Sequence, residues 1–151
     1  MQVLLLLHIL ATVVWVGGMF FAHNCLRPVV LEQLEPPQRL RLWTGVFGRF
    51  FPWVWVSVVA LVASGQYLVL NMGGMGAVGY PVHIMVTLGY LMAAIFAYIY
   101  FVPYAHLRRA VADANWPAGG QAQNTIRILV MTNLVLGLSN IVLIFLLPPQ
   151  G

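Results

Sequence analysis

Hydrophobic and polar positions fall into long blocks along this chain rather than alternating residue by residue. Four apolar blocks are separated by breaks that contain arginine, glycine or proline. A block of about 20 apolar residues is long enough for one helix to cross a hydrocarbon core of about 30 Å. The pattern predicts an all-α polytopic membrane four-helix bundle that forms one transmembrane domain over residues 1–151. The predicted spans are about 3–23, 44–70, 81–104 and 126–147.

The first apolar block also has to be compared with a secretory signal peptide. Only Met1 and Gln2 precede it, so it lacks a basic leading region, and it is longer than the roughly 7–15 apolar residues of a signal peptide. We therefore expect it to be retained as a transmembrane helix.

Charged side chains are scarce and unevenly distributed. They make up 7% of the residues, against roughly 25% in a soluble domain. The net charge of +4 comes from seven arginines against three acidic residues. Five of the arginines lie between spans one and two or between spans three and four, and Arg49 and Arg127 lie near the starts of spans two and four. By the positive-inside rule, the ends of the spans that carry the arginines face the cytoplasm, and both termini lie on the outer side of the membrane. Because topology explains the positive charge, we expect the lipid bilayer as partner and no nucleic acid.

Two histidines suggest a cofactor site. His8 lies inside the first span, and an ionisable ring in a membrane helix is a functional-site hypothesis. The topology places His83, at the start of the third span, at a similar depth. Two imidazoles on different helices can bind haem iron from both faces. We therefore predict haem b between helices one and three, and the alternative for each ring is a buried, hydrogen-bonded histidine.

Other residues extend this haem hypothesis. Trp15 lies two turns from His8 on the same helix face, which predicts a position inside the bundle, and Tyr90 shares a face with His83. Arg49 either binds an anionic group of the cofactor or extends to the lipid headgroups. A second haem at His23 and His106 is less favoured because His8 and His23 are ~22 Å apart along a helix, whereas His83 and His106 are ~34 Å apart.

Copper is the competing cofactor. Met72 and Met75 lie in the loop before the third span, and Met85 follows His83 by two residues. Thioether and imidazole ligands together suit Cu(I). Methionine is also a common filler of apolar helices, so this signal is unspecific.

Two further patterns concern packing. Residues 38–51 are amphipathic, which predicts that the second helix begins as an interfacial stretch and enters the bilayer near Pro52. Asn133 and Asn140 lie on one face of the fourth helix with Gly137 between them, which predicts close packing and hydrogen bonds between helices.

Several motifs together resemble the CopD/HemJ-type membrane proteins of the copper-resistance D superfamily. They include Leu7-His8-Ile9, Ser64-Gly65, His83-Ile84-Met85 and the run from Asn133 to Gly137. The resemblance implies a compact helical bundle in a bacterial inner membrane, which would put both termini on the periplasmic side. In the HemJ-type protoporphyrinogen oxidases, a first-helix histidine is linked to haem b, and His8 matches it. A third-helix lysine is also essential there, but Met85 stands at that position, so we do not expect that activity.

Three functions stay open. The leading hypothesis is a haem b protein for electron transfer or a small oxidoreductase reaction, which would make it a membrane enzyme or the partner of one. The second is a Cu(I)-handling protein for transport or resistance. The third is a cofactor-free accessory subunit of a larger membrane complex. The sequence leaves the substrate, the redox partner and homo-oligomer formation undetermined.

Overall fold

The structure, a computed structural model, describes residues 1–147. It is all-helical, and no strand occurs among these residues. The helices are α1 (Gln2–Phe21), a π-helical segment (Ala22–Leu26), α2 (Arg27–Gln33), α3 (Pro36–Asn71), α4 (Tyr80–Phe101), α5 (Pro103–Ala112) and α6 (Trp116–Leu146).

These elements form four long helical segments, each apolar and long enough to cross a membrane. They are Gln2–Gln33, Pro36–Asn71, Tyr80–Ala112 and Trp116–Leu146. The protein is therefore a multi-pass membrane protein, as predicted, with a surface rich in exposed apolar side chains that suits contact with lipid. The helices extend beyond the predicted spans because amphipathic sequence outside each apolar block continues the same helix.

Prolines and polar caps set the ends of the helices. Glu35 is the N-cap of α3, its backbone N–H donates to Gln38 Oε1 at 3.2 Å, and Pro36 occupies the first helical position. At the start of α6, the Ala118 N–H donates to the Asn115 side chain at 3.3 Å. The resulting connections, Leu34–Glu35 and Asp113–Asn115, define what we call the arginine end of the bundle.

Helix α1 packs chiefly on α3, and α6 packs on α4 and α5. Asn133 Nδ2 donates to the Met92 carbonyl at 3.1 Å, and Asn140 Nδ2 donates to the Met85 carbonyl at 3.3 Å. A Cβ atom added at Gly137 would lie 3.0 Å from a Val16 methyl group. The prediction of close packing and hydrogen bonds along this face of α6 is confirmed.

Aromatic side chains fill the half of the bundle nearer the arginine end. We call the group Trp43, Phe47, Phe51, Phe96, Tyr100 and Tyr104 the aromatic cluster. The predicted interfacial stretch 38–51 contributes its apolar face to this core, because Trp43, Phe47 and Phe51 are buried. Pro52 lies inside the continuous helix α3. The amphipathic pattern was compatible with a lipid interface, but here the apolar face packs against protein.

Candidate functional site

A cavity of about 540 Å³ lies between α1, α3, α4 and α6, in the half of the bundle away from the arginine end. Its wall is mainly aliphatic, with small residues such as Gly65, Gly89, Ala93 and Gly137. The few polar side chains in the wall belong to His8, Thr12, Trp15, Gln66, Tyr90 and Asn140. An apolar cavity with a small number of polar groups is the usual form of a ligand site.

The imidazole of His8 is half-buried in this wall and is held against α3. Its Nδ1 atom lies 2.9 Å from Ser64 Oγ. Ser64 is buried, and its hydroxyl donates to the Ala60 carbonyl at 2.5 Å. A Cβ atom added at Gly65 would lie 3.4 Å from His8 Cε1, so the Ser64-Gly65 pair provides both a polar partner and room for the ring.

Trp15 and Tyr90 also contribute to the cavity wall. Trp15 is buried, as predicted, and its ring meets Phe96 edge-on at 6.2 Å, where the cavity adjoins the aromatic cluster. The Tyr90 hydroxyl accepts a hydrogen bond from Gln66 Nε2 at 2.6 Å, which joins α4 to α3 at the cavity.

Two predicted haem residues lie elsewhere. His83 is exposed on the first turn of α4 and is absent from the cavity wall, so the structure does not bring it into the same site as His8. Arg49 is exposed on α3, fifteen residues or ~22 Å of helix before Ser64, and it is also outside the wall.

The predicted lower-ranked ligands lie in four different places. Met85 lines the cavity, whereas Met72 and Met75 are exposed in the connection that follows α3. His23 lies in the π-helical segment. His106 lies on α5, beside a second cavity of about 380 Å³ near the arginine end.

Sequence reasoning missed three residues at the site: Gln66 and Met92, which line the cavity, and Ser64, which contacts His8. Ser64 was noted only as part of a resemblance, and neither Gln66 nor Met92 was singled out. The available signal is the Ser64-Gly65 pair in a largely apolar span, because a small residue beside a hydroxyl favours a close approach by another helix.

Within residues 1–147, no three side chains of His, Cys, Asp or Glu come together as a metal-binding group. The potential soft ligands at the cavity are instead one imidazole, His8, and two thioethers, Met85 and Met92. Imidazole and thioether are ligands that suit Cu(I).

Comparison with known proteins gives one match. The family model described as Copper resistance protein D matches residues 44–147, more than half of the chain, and covers most of α3 together with α4, α5 and α6. His8 lies outside the matched range. No curated protein and no solved structure matches the chain.

Proposed function

The chain belongs to the copper resistance protein D family, and from this premise we propose that it handles Cu(I) inside the membrane at the cavity lined by His8. Family membership supports a copper-resistance-type membrane protein. The location of the metal site rests on one observation, the presence of an imidazole and two thioethers in the wall of the same cavity.

The chemistry of this wall favours a soft monovalent cation. Met85 and Met92 are neutral, polarisable ligands, and no carboxylate side chain lines the cavity among the residues described. A neutral ligand set in an apolar environment stabilises a divalent ion less than carboxylates would, and it favours Cu(I) among biological metals. Copper is the cargo in this proposal, not a resident cofactor.

The test is an anaerobic titration of the detergent-purified protein with Cu(I) in the presence of a competing chromophoric chelator. We expect His8→Ala to abolish binding at this site and Met85→Leu to weaken it by about tenfold. His106→Ala and Met75→Leu are the matched controls, because both side chains lie outside the cavity. Unchanged Cu(I) affinity in His8→Ala would overturn the proposal.

Haem b is the second candidate, favoured by an imidazole in an apolar cavity of this size. His8 and Met85 would hold the haem iron, a pairing of ligands known from cytochromes, and bound haem would supply one-electron chemistry. The fit is incomplete because no arginine described in the structure lines the cavity to pair with the propionates.

Visible spectra separate the two candidates. A sharp reduced α-band from the purified protein, with haem at about one per chain and its loss in His8→Ala, would favour haem. A colourless protein that binds Cu(I) would favour copper handling. A normal haem content in His8→Ala would exclude His8 as a ligand.

We also propose that the protein lies in the bacterial inner membrane with its arginine end in the cytoplasm. The support is that all seven arginines lie on the helices that flank the two connections at that end. Alkaline phosphatase, which is active only after export, should be active when fused after residue 151 and inactive when inserted at the Leu34–Glu35 turn. The reverse pattern would overturn this orientation.

A further inference from the structure

We propose that Ser64 is a positioning residue that holds His8 in the tautomer protonated on Nδ1, which leaves Nε2 as the ring nitrogen that binds a ligand in the cavity. The assignment of the tautomer follows from hydrogen-bond geometry alone. Its consequence for copper rests on the proposed function.

The first step is the location of the single Ser64 hydroxyl hydrogen. Ser64 Oγ lies 2.5 Å from the Ala60 carbonyl oxygen and 3.4 Å from the Leu61 carbonyl oxygen. A carbonyl oxygen only accepts hydrogen bonds, so two oxygens at 2.5 Å require a hydrogen between them. The Ser64 hydroxyl hydrogen is therefore directed at Ala60 and is not available to His8.

The second step is the contact between His8 and Ser64. The Nδ1 atom of His8 lies 2.9 Å from Ser64 Oγ, a hydrogen-bond distance. Because the hydroxyl hydrogen is already used, Oγ accepts in this contact and Nδ1 must be the donor. A neutral imidazole with its hydrogen on Nδ1 carries its free lone pair on Nε2.

No other polar group described near the His8 ring competes for its hydrogen bond with Ser64. Ser64 is only 4% exposed, so water does not compete for its oxygen. The nearby hydroxyl of Thr12 donates to the His8 backbone carbonyl at 2.9 Å, so its hydrogen is not available for a hydrogen bond to the His8 ring. The ring therefore has one polar partner among the described residues, and that partner fixes both its tautomer and its orientation.

The consequence for a bound metal follows from known metal sites. The group that accepts the second ring N–H of a histidine ligand fixes its orientation, and loss of that group typically lowers metal affinity by about 10–100-fold. Ser64 therefore controls affinity at the cavity without touching the metal.

The experiment measures the tautomer directly by nuclear magnetic resonance of the full-length protein labelled with ¹⁵N-histidine in detergent. The His8 signals are identified by their loss in His8→Ala. We expect Nδ1 to be protonated in the wild type and in Ser64→Thr, which keeps the hydroxyl, and the Nε2-protonated form to appear in Ser64→Ala.

Ser57→Ala is the matched control, because Ser57 is 3% exposed on the same helix, whereas the hydrogen bond to His8 is made by Ser64. It should leave the His8 tautomer unchanged. An Nε2-protonated ring in the wild type would overturn the proposal, and so would an unchanged tautomer in Ser64→Ala. Failure of a stably folded Ser64→Thr variant to keep the wild-type tautomer would also contradict it.

A Cu(I) titration of the same variants tests the consequence. We expect the affinity to fall at least about tenfold in Ser64→Ala and to stay near the wild-type value in Ser64→Thr and Ser57→Ala. If the wild type binds no Cu(I), the proposed function fails, whereas the tautomer measurement still decides the role of Ser64. An unchanged affinity in Ser64→Ala, in a wild type that binds through His8, would overturn the positioning role.

Discussion

The same four membrane-crossing segments form a filled region at one level of the bundle and a cavity at another, and helix α4 shows the difference most clearly. At the cavity α4 presents Gly89 and Ala93, whereas one to three turns further on it presents Phe96 and Tyr100 to the aromatic cluster. The size of the side chains, rather than a change of fold, separates the two regions.

The two regions therefore contribute differently to stability. Helices in lipid gain little from hydrophobic burial, so contacts between side chains and hydrogen bonds hold them together. Side chains of the aromatic cluster make many such contacts, whereas side chains that face the cavity make fewer. A membrane protein can keep an open site of this kind when another level of the same helices is densely packed.

The largest effect is expected from emptying the aromatic cluster. Phe51 is 2% exposed, stacks on Phe47 at 4.8 Å and meets Phe96 and Tyr104 edge-on. Phe51→Ala should lower the free energy of unfolding by about 3 kcal/mol, because the lost contacts are only partly recovered by relaxation. Thermal unfolding in detergent measures the change. Phe145→Ala is the control at an exposed position. An equal loss of unfolding free energy in Phe145→Ala would contradict the conclusion that packing in the aromatic cluster stabilises the bundle.

A smaller effect is expected from adding one methyl group to each region. A Cβ atom at Gly18 would overlap the Phe50 ring, next to the aromatic cluster, whereas one at Gly89 meets nothing within 4 Å. Gly18→Ala should therefore cost about 1 kcal/mol through overpacking.

Gly89→Ala should be neutral or stabilise by up to about 1 kcal/mol, because alanine favours the helix. The thermal unfolding curve of Gly18→Ala should shift to lower temperature, whereas that of Gly89→Ala should stay in place or shift to higher temperature. A destabilised Gly89→Ala variant would show that the cavity is already filled by neighbouring side chains.

The smallest effect is expected at the polar contact across the cavity. Tyr90→Phe removes the acceptor of the 2.6 Å hydrogen bond from Gln66. Because Tyr90 is 49% exposed, the loss should be about 0.5 kcal/mol, which is near the lower limit for a hydrogen bond. Chemical denaturation would measure it, with Tyr98→Phe as an exposed tyrosine control on the same helix. If Tyr90→Phe lowered the free energy of unfolding as much as Phe51→Ala does, the cavity and the aromatic cluster would not differ in their contribution to stability.

The sequence predicts the four spans and the packing face of α6, but it does not predict how the helices are rotated about their axes. In a membrane both the lipid-facing and the protein-facing sides of a helix are apolar, so periodicity does not identify the inner face. For this reason equal depth suggested His8 and His83 as partners, although His83 lies on an exposed face of α4. Asn133 and Asn140 were easier to place because buried amides require hydrogen-bond partners.

Ser64 illustrates what only the fold provides. A serine in an apolar helix commonly donates to the backbone carbonyl four residues earlier, as Ser64 does to Ala60, so its type and position indicate no tertiary role. Its second contact, with His8, depends on how α1 packs against α3, which spacing within either helix does not determine.

The short connections at the arginine end affect how the protein should respond to proteases. All seven arginines lie within helices, and the connections beside them, Leu34–Glu35 and Asp113–Asn115, contain no arginine. Trypsin cleaves after arginine but requires an extended, locally unfolded backbone. Folded protein should therefore resist trypsin from either side of the membrane, and the rate of any cleavage would report the opening of a helix.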